Sequence, residues 1–223
     1  SGTLTLTGTG SAATLGKSAA TGHIGVGFLG ATVTVINGSL SITGTGGEKG
    51  GGHGLKVSSS EISSSGTGGI TLLTTGGADG NGVDVELSSL VKTSLLTGAP
   101  AIGITGTASN SGRYGIEMSA STIGNANSDA NVTLSVDSLN QVDIITNGNI
   151  LIHPDTDVDM SIGGTASSSA FVVSSTVSSQ LDGNRLTFGL STHDATVTLK
   201  DGAFVCDVVI NGRTISTFEA LSY

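Results

Sequence analysis

Two short phrases alternate along this chain at a shared interval, and few folds can absorb such a pattern. The first phrase is T-G-T-like. It reads "TLTLTGTG" near the start, "SITGTGG" at Ser41 to Gly47, "LLTTGG" at Leu72 to Gly77, "GITGTAS" at Gly103 to Ser109 and, more weakly, "SIGGTAS" at Ser161 to Ser167. Its second Thr is Thr9, Thr45, Thr75, Thr107 and Thr165, with looser members at Asp137, Thr192 and Thr217, so the successive gaps are 36, 30, 32, 30, 28, 27 and 25 residues. The second phrase is Gly, an apolar residue, any residue, an apolar residue: "GVGF" from Gly25, "GLKV" from Gly54, "GVDV" from Gly82 and "GIEM" from Gly115. It continues without Gly as "VDI" (Val142 to Ile144), "FVV" (Phe171 to Val173) and "VTL" (Val197 to Leu199), at gaps of 29, 28, 33, 26, 29 and 26 residues. Internal repetition at 20 to 50 residues points to a solenoid or array.

Each phrase is short, alternating and rich in branched side chains, as half-buried strands are. In the second phrase Lys56, Asp84, Glu117 or Asp143 stands between aliphatic neighbours, and a period of two then sends the charge to solvent and the aliphatics inward. A third strand follows in "ATVTV" (Ala31 to Val35), "SEI" (Ser60 to Ile62), "SLV" (Ser89 to Val91), "STI" (Ser121 to Ile123) and "NILI" (Asn149 to Ile152). Turn chemistry separates the strands in "GTGG", "GGADGNG" and "TASNSG". No sustained i, i+3, i+4 apolar pattern leaves room for a helix. Three strands per 25 to 36 residues, about seven times over, describe an all-β parallel solenoid, each coil burying its inward face against the next. At the inter-strand spacing of about 4.8 Å the stack is a rod on the order of 35 Å long. A β-sandwich is the other Gly-rich, short-stranded option, but its strands have no reason to share phrases in fixed order.

Composition narrows the function. Charged residues are 11% of the chain and Gly numbers 36, yet mean hydropathy is +0.26. Disordered chains are charged and poor in aliphatics, so the low charge here means a surface of Ser, Thr, Asn and Gly. Trp is absent and aromatics are 3%, which implies a thin aliphatic core. A formal charge of −9 opposes nucleic acid and anionic membranes, and no apolar run is long enough for a membrane helix. The single Cys206 excludes an internal disulfide and a cysteine-built zinc site.

With "ITGTGG", a Gly-rich turn and "GLKV" or "GVDV" in alternation, the chain resembles the repeats of large secreted bacterial surface proteins. It is similar to filamentous-haemagglutinin-like and autotransporter-type adhesins, over residues 2 to 152 and more loosely beyond. The resemblance implies a right-handed β-helix, an extracellular or cell-surface location and a stalk or fibre. The whole of 1–223 then forms one solenoid domain, with regular Gly/Thr-rich coils over 1–152 and divergent coils or a cap over 153–223.

Candidate chemistry is sparse. "HPDTDVDMS", His153 to Ser161, sets Asp155, Asp157 and Asp159 at alternate positions. On a strand they share one face, where calcium is the cation such oxygens attract; the competing reading is a solvated acidic edge. "GGADGNGVDVE", Gly76 to Glu86, resembles one imperfect RTX-type nonapeptide, but those sites need tandem copies, so a turn using Gly80 and Gly82 for unusual backbone angles is expected. His193 and Asp194 are adjacent in sequence, which is not a catalytic arrangement. Thr43/Thr45 and Thr105/Thr107 share a face and stack as a Thr ladder, interrupted where Leu73 precedes Thr75 and Gly163 precedes Thr165. Cys206 faces inward with Phe204, Val208 and Ile210.

These features describe a non-enzymatic segment of an adhesin or self-assembling surface fibre. The alternative is a carbohydrate-binding or carbohydrate-cleaving β-helix, such as a phage tail-spike segment. Because "TLTLT" starts a strand at once, its open edge is expected to be covered by further repeats of a larger protein or head-to-tail by another subunit. A host surface or glycan is the expected ligand, with neither nucleic acid nor membrane insertion involved.

Overall fold

The computed structural model describes residues 2–10, 23–48, 51–66, 68–93, 101–110, 112–163, 171–200, 204 and 206–217. The fold is all-β and every strand pair in it is parallel. A first sheet of eight strands holds Thr3–Thr9, Ser39–Thr45, Ile70–Thr75, Ala101–Thr107, Asn131–Val136, Asn149–Pro154, Arg185–Phe188 and Asp207–Ile210, in that order. A second sheet stacks Val26–Leu29, Leu55–Ser58, Val83–Glu86, Ile116–Ser119 and Leu139–Asn140. A third stacks Thr32–Ile36, Glu61–Ser65, Leu90–Thr93, Thr122–Asn125, Ile144–Thr146 and Leu181–Asp182. Over the first five layers the chain visits the three sheets in turn, an arrangement compatible with a β-solenoid. All sheets are open, with free edges.

The alternation read from sequence sets the core. In the first sheet, Leu40/Ile42, Ile70/Leu72, Ile102/Ile104, Val132/Leu134, Ile150/Ile152 and Leu186/Phe188 stack in two inward columns, each side chain at most 1% exposed. Burying each contributes roughly 1.5–3 kcal/mol. The second sheet adds Leu55/Val57, Val83/Val85 and Ile116/Met118, and the third adds Ile62, Val91, Ile123 and Ile144.

Register bears out the first phrase through its fourth member: Thr9, Thr45, Thr75 and Thr107 are successive partners, and Asp137 follows because Gly106 pairs Val136. The spacing then departs from the expected range. Register partners Leu4, Leu40, Ile70, Ile102, Val132, Ile150, Leu186 and Val208 lie 36, 30, 32, 30, 18, 36 and 22 residues apart. The 18-residue layer arises partly because Asn131–Val136 reaches Leu139–Asn140 through two residues, with no Gly-rich turn, and partly because its later strands are shorter and only Asn147 and Gly148 precede Asn149–Pro154. "NILI" therefore belongs to the first sheet, not the third, and Asp155, not Thr165, follows Asp137; Thr165 itself lies outside the described residues. The second phrase continues at Leu139, not Val142. Phe171–Val173 and Thr196–Leu199 flank Met160–Ile162 in a fourth sheet completed by Thr214–Thr217. One helical turn, Ser175–Ser178, capped by the Ser174 hydroxyl, precedes Leu181.

Two corners explain the repeated residues. Between the first and second sheets the two phrases meet backbone to backbone. A Cβ on Gly8 would lie 2.0 Å from the Gly25 carbonyl oxygen, one on Gly44 2.1 Å from that of Gly54, and one on Gly106 2.3 Å from that of Gly115. In these three layers the T-G-T glycine thus faces the glycine that opens the next strand, and a side chain there would strike backbone. Thr74 replaces the glycine in one layer and donates its hydroxyl to the Thr105 carbonyl at 3.2 Å.

Between the second and third sheets the turn is made by left-handed backbone: Gly30 (φ 62°), Ser59 (49°), Leu87 and Ser88 (57° and 60°), Ala120 (48°) and Gln141 (51°). Only the first is the residue such a φ favours. The residue after this turn carries a buried serine ladder. Ala31 N–H donates to Ser60 Oγ (2.9 Å), Ser60 N–H to Ser89 Oγ (3.2 Å) and Ser89 N–H to Ser121 Oγ (3.1 Å). These serines are 2–6% exposed, and their own hydroxyls return to carbonyls such as Ser58 O and Glu86 O.

Gly44→Ala is expected to destabilise the fold by about 2–3 kcal/mol through overpacking. Gly103→Thr, where a Cβ meets nothing within 4 Å and the register neighbours are Thr71 and Thr133, is expected to stabilise it by about 0.5–1 kcal/mol. Urea unfolding of both variants measures the contrast. Ser89→Ala leaves the buried Ser60 N–H without its acceptor, and the same measurement should show a loss of about 1–3 kcal/mol.

Candidate functional site

The middle residue of the second phrase was expected to point to water. In the structure Lys56 pairs Asp84, Asp84 pairs Glu117 and Glu117 pairs Asn140, one above the other on the outer side of the second sheet. They form a wall rather than a row of solvated charges. Asp84 is only 7% exposed. Lys56 Nζ donates to Asp84 Oδ2 at 2.8 Å and lies 3.0 Å from Glu86 Oε1. Asp143, expected in this row, sits instead beside Thr122 of the third sheet; burial pushes its carboxyl up despite the Thr122 hydrogen bond.

The Gly-rich turns bring a second column against the first. Asn81, fully buried, donates its side-chain amide to Glu117 Oε2 at 2.6 Å and accepts the Tyr114 N–H on its Oδ1 at 3.0 Å. Asn140 donates to the other Glu117 oxygen at 2.9 Å. The Asn81 N–H donates to His53 Nδ1 at 3.2 Å, so the ring proton sits on Nε2, which faces Asp84 Oδ2 at 3.5 Å. Both ring nitrogens are engaged, and this His lacks the free lone pair a general base needs. Burial lowers the His53 pKa; Lys56 and Arg113 act in the same sense, while Asp84 and Glu86 oppose it. Burial alone would lower Lys56, but its bonds to Asp84 and Glu86 hold its pKa above the ordinary value. Burial alone would raise Glu86, but Lys56 holds its carboxyl below.

Asp155, Asp157 and Asp159 do not alternate along a strand. They occupy the bend after Pro154, where Asp157 Oδ2 accepts the Asp194 N–H (3.2 Å) and Asp159 Oδ1 the Thr196 N–H (2.9 Å). Two of the three therefore dock the loop that leads into Thr196–Leu199. Asp155 stacks on Asp137, whose carboxyl is pushed up by burial and by Asp155 against the hydrogen bonds from Ala108 and Ser138. Among the described residues no group of three or more His, Cys, Asp or Glu side chains is placed to hold a metal. His193 packs edge-on against His153 at 5.9 Å between ring centroids, and Asp194 pairs with Arg213 at 2.6 Å on the surface.

The remaining candidates resolve into packing. The Gly76–Gly82 segment is a turn, but Asp79, not Gly80 or Gly82, takes the left-handed angle (φ 62°). Those two glycines answer to close approach: a Cβ on Gly80 would sit 2.1 Å from the Gly52 carbonyl, one on Gly82 2.6 Å from that of Gly115. The Thr9–Thr45–Thr75–Thr107 column is continuous, while its neighbour is broken by Leu73, which is 51% exposed. Cys206 is a half-buried thiol packed against the core, its pKa raised by that burial.

Sequence reading missed His53, Asn81 and the pairing of Lys56 with Asp84. The signal was present in the aligned second phrases, whose middle positions must become neighbours once the strands stack. No protein-family model, curated protein or solved structure matches the chain.

Lys56→Met strands the buried Asp84 carboxylate, and chemical unfolding should show a loss of about 3 kcal/mol, most of it recovered in Lys56→Met/Asp84→Leu. The wall is also titratable. Glu86 and His53 have folded pKa values below their unfolded ones (about 4.3 and 6.5), so their contributions are complete above those values. They fall away as pH drops through the folded pKa of each. Lys56, with a raised pKa, contributes fully below about 10.4 and loses that contribution as pH rises through its folded value. Melting temperature is expected to fall on both sides of neutrality, with the alkaline limb flattened in Lys56→Met.

Proposed function

We propose that this chain is a non-enzymatic structural segment: a right-handed parallel β-helix of about seven coils, serving in an extracellular adhesin or self-assembling surface fibre. The observation that carries this reading is the satisfied lateral wall. His53, Lys56, Asn81, Asp84, Glu86, Glu117 and Asn140 come from four stacked layers and spend their polar atoms on one another. Such cross-linking stiffens a rod along its axis. The ungated Ser, Thr and Gly surface and the resemblance of the T-G-T and G-apolar-x-apolar phrases to secreted surface repeats point the same way. The host surface or glycan it meets is then a matter for the lateral faces, and continuation of the repeats in a larger protein fits the open sheet edges.

Immunogold labelling of the source cells with antibody to this chain is expected to decorate the exterior, and label confined to the cytosol would sink the reading. A reducing-end assay of the purified protein on a panel of polysaccharides is expected to stay at the blank; turnover would favour the carbohydrate-cleaving alternative.

A further inference from the structure

One end of the stack is built to receive another layer. Thr3–Thr9, Val26–Leu29 and Thr32–Ile36 each have a single strand neighbour and lie at the same end of their three sheets. Gly10 N–H reaches the Thr45 carbonyl and Ser39 N–H reaches the Gly2 carbonyl. Even-numbered residues of this first strand therefore bond inward to the stack, and in a parallel ladder the N–H and C=O groups of Thr5 and Thr7 point to the open side. Leu4 is 42% exposed where its register partner Leu40 is 1% exposed.

Two outward positions of this layer, otherwise lined by Thr and Gly, are apolar too. Leu29 (63% exposed) and Ile36 (74%) stand where the next layer has Ser58 and Ser65. At the opposite end Val209 stands above Thr187, and Ile215 lies on the last strand of the fourth sheet. Of the eight large apolar side chains exposed among the described residues, five (Leu4, Leu29, Ile36, Val209 and Ile215) are thus on outermost strands. Charge is distributed in the opposite sense. All seventeen acidic residues lie at or beyond Glu48, and residues 23–47 contain no Asp, Glu, Lys or Arg. An interface core is depleted of charge in this way.

We infer that this uncharged end docks the opposite end of a second copy of the chain, Asp207–Ile210 stacking in parallel on Thr3–Thr9. The register supplies the match. Leu4 and Leu6 open the two inward columns that Val208 and Ile210 close; Leu6, Val208 and Ile210 are partly covered and packed on the same core, and Leu4 is exposed. Head-to-tail stacking sets Val208 over Leu4 and Ile210 over Leu6, keeps the strand direction and fills the free hydrogen-bonding groups of Thr5 and Thr7. Two-fold pairing of Thr3–Thr9 with itself, centred on Leu6, would set Leu4 against Gly8 and leave Val209 and Ile215 uncovered. The contact is heterologous and does not close, so it propagates. This inference rests on the structural reading above and names its partner.

The test is sedimentation velocity with electron microscopy on the purified 223-residue chain, from micromolar to submillimolar concentration. Species beyond a dimer, lengthening with concentration into rods of constant width, are expected. Leu29→Lys/Ile36→Lys changes two exposed positions, leaves the melting temperature in place and is expected to weaken association on the order of a hundredfold. Thr5→Pro removes one outward N–H from the edge and should likewise shorten the assemblies. A monomer at every concentration, growth that stops at a dimer, or assembly of the double Lys variant like the parent each overturns the inference. A surface-labelled but non-assembling chain would remove this inference alone and leave the proposed function standing.

Discussion

The stack depends on backbone meeting backbone at the corner between the first and second sheets. There the T-G-T glycine of one strand lies against the glycine that opens the next, at Gly8 and Gly25, Gly44 and Gly54, Gly106 and Gly115. That approach brings two sheets close enough for a core of single aliphatic side chains to fill the space between them. It accounts for a chain without Trp and with few aromatics: a wider interior would need larger side chains. Where the glycine gives way to Val136, the Gly-rich turn disappears with it, and the next strand begins after two residues instead of seven or more. At Val136 the glycine and the Gly-rich turn are lost together, whereas at Thr74 the glycine alone is replaced and the turn over 76–82 is kept.

The other corner works by different physics. Left-handed backbone at Ser59, Ser88, Ala120 and Gln141 costs on the order of 1 kcal/mol at each non-glycine residue. The serine ladder immediately beyond offsets that strain, since each buried hydroxyl accepts the N–H of the layer beside it and donates to a nearby carbonyl. With the lateral wall from His53 to Asn140, this makes three lines of contact running along the stack: aliphatic columns inside, serines at a corner and an ionic ladder on one face. All three join residues about thirty positions apart in sequence and one strand apart in space. Parallel sheets held in that way resist separation of their layers, which is the property the proposed stalk or fibre would use.

Much of this was legible. Thr9, Thr45, Thr75 and Thr107 stack as their phrases suggested, and Val26, Leu55, Val83 and Ile116 do the same in the second sheet. The reading failed where spacing was extrapolated. Asn149–Pro154 was placed in the third sheet because a repeat of about 28 residues left no room for an 18-residue layer, and "FVV" and "VTL" were placed as neighbours although Met160–Ile162 separates them. The acidic run Asp155 to Asp159 was read as a strand because alternation fits a bend equally well on paper. Its carboxylates spend themselves on the N–H groups of Asp194 and Thr196, partners 37 residues away.

Sequence alone determined which side chains face the core and where the first four layers repeat, because period-two alternation and recurring glycines are local properties of strands and turns. Tertiary structure decided register, and register decides everything that acts across layers. Lys56 meets Asp84, Asn81 meets Glu117 and Ser60 meets Ser89 only because the stack sets them one strand apart. A hydrogen bond reaches about 3 Å, so a two-residue slip, which keeps the aliphatics inward, would carry each of these partners about 7 Å out of reach, and the alternation within a single phrase does not forbid that slip. What forbids it is the fit of Gly44 under Gly54, a contact between backbones that leaves in the sequence only the absence of a side chain.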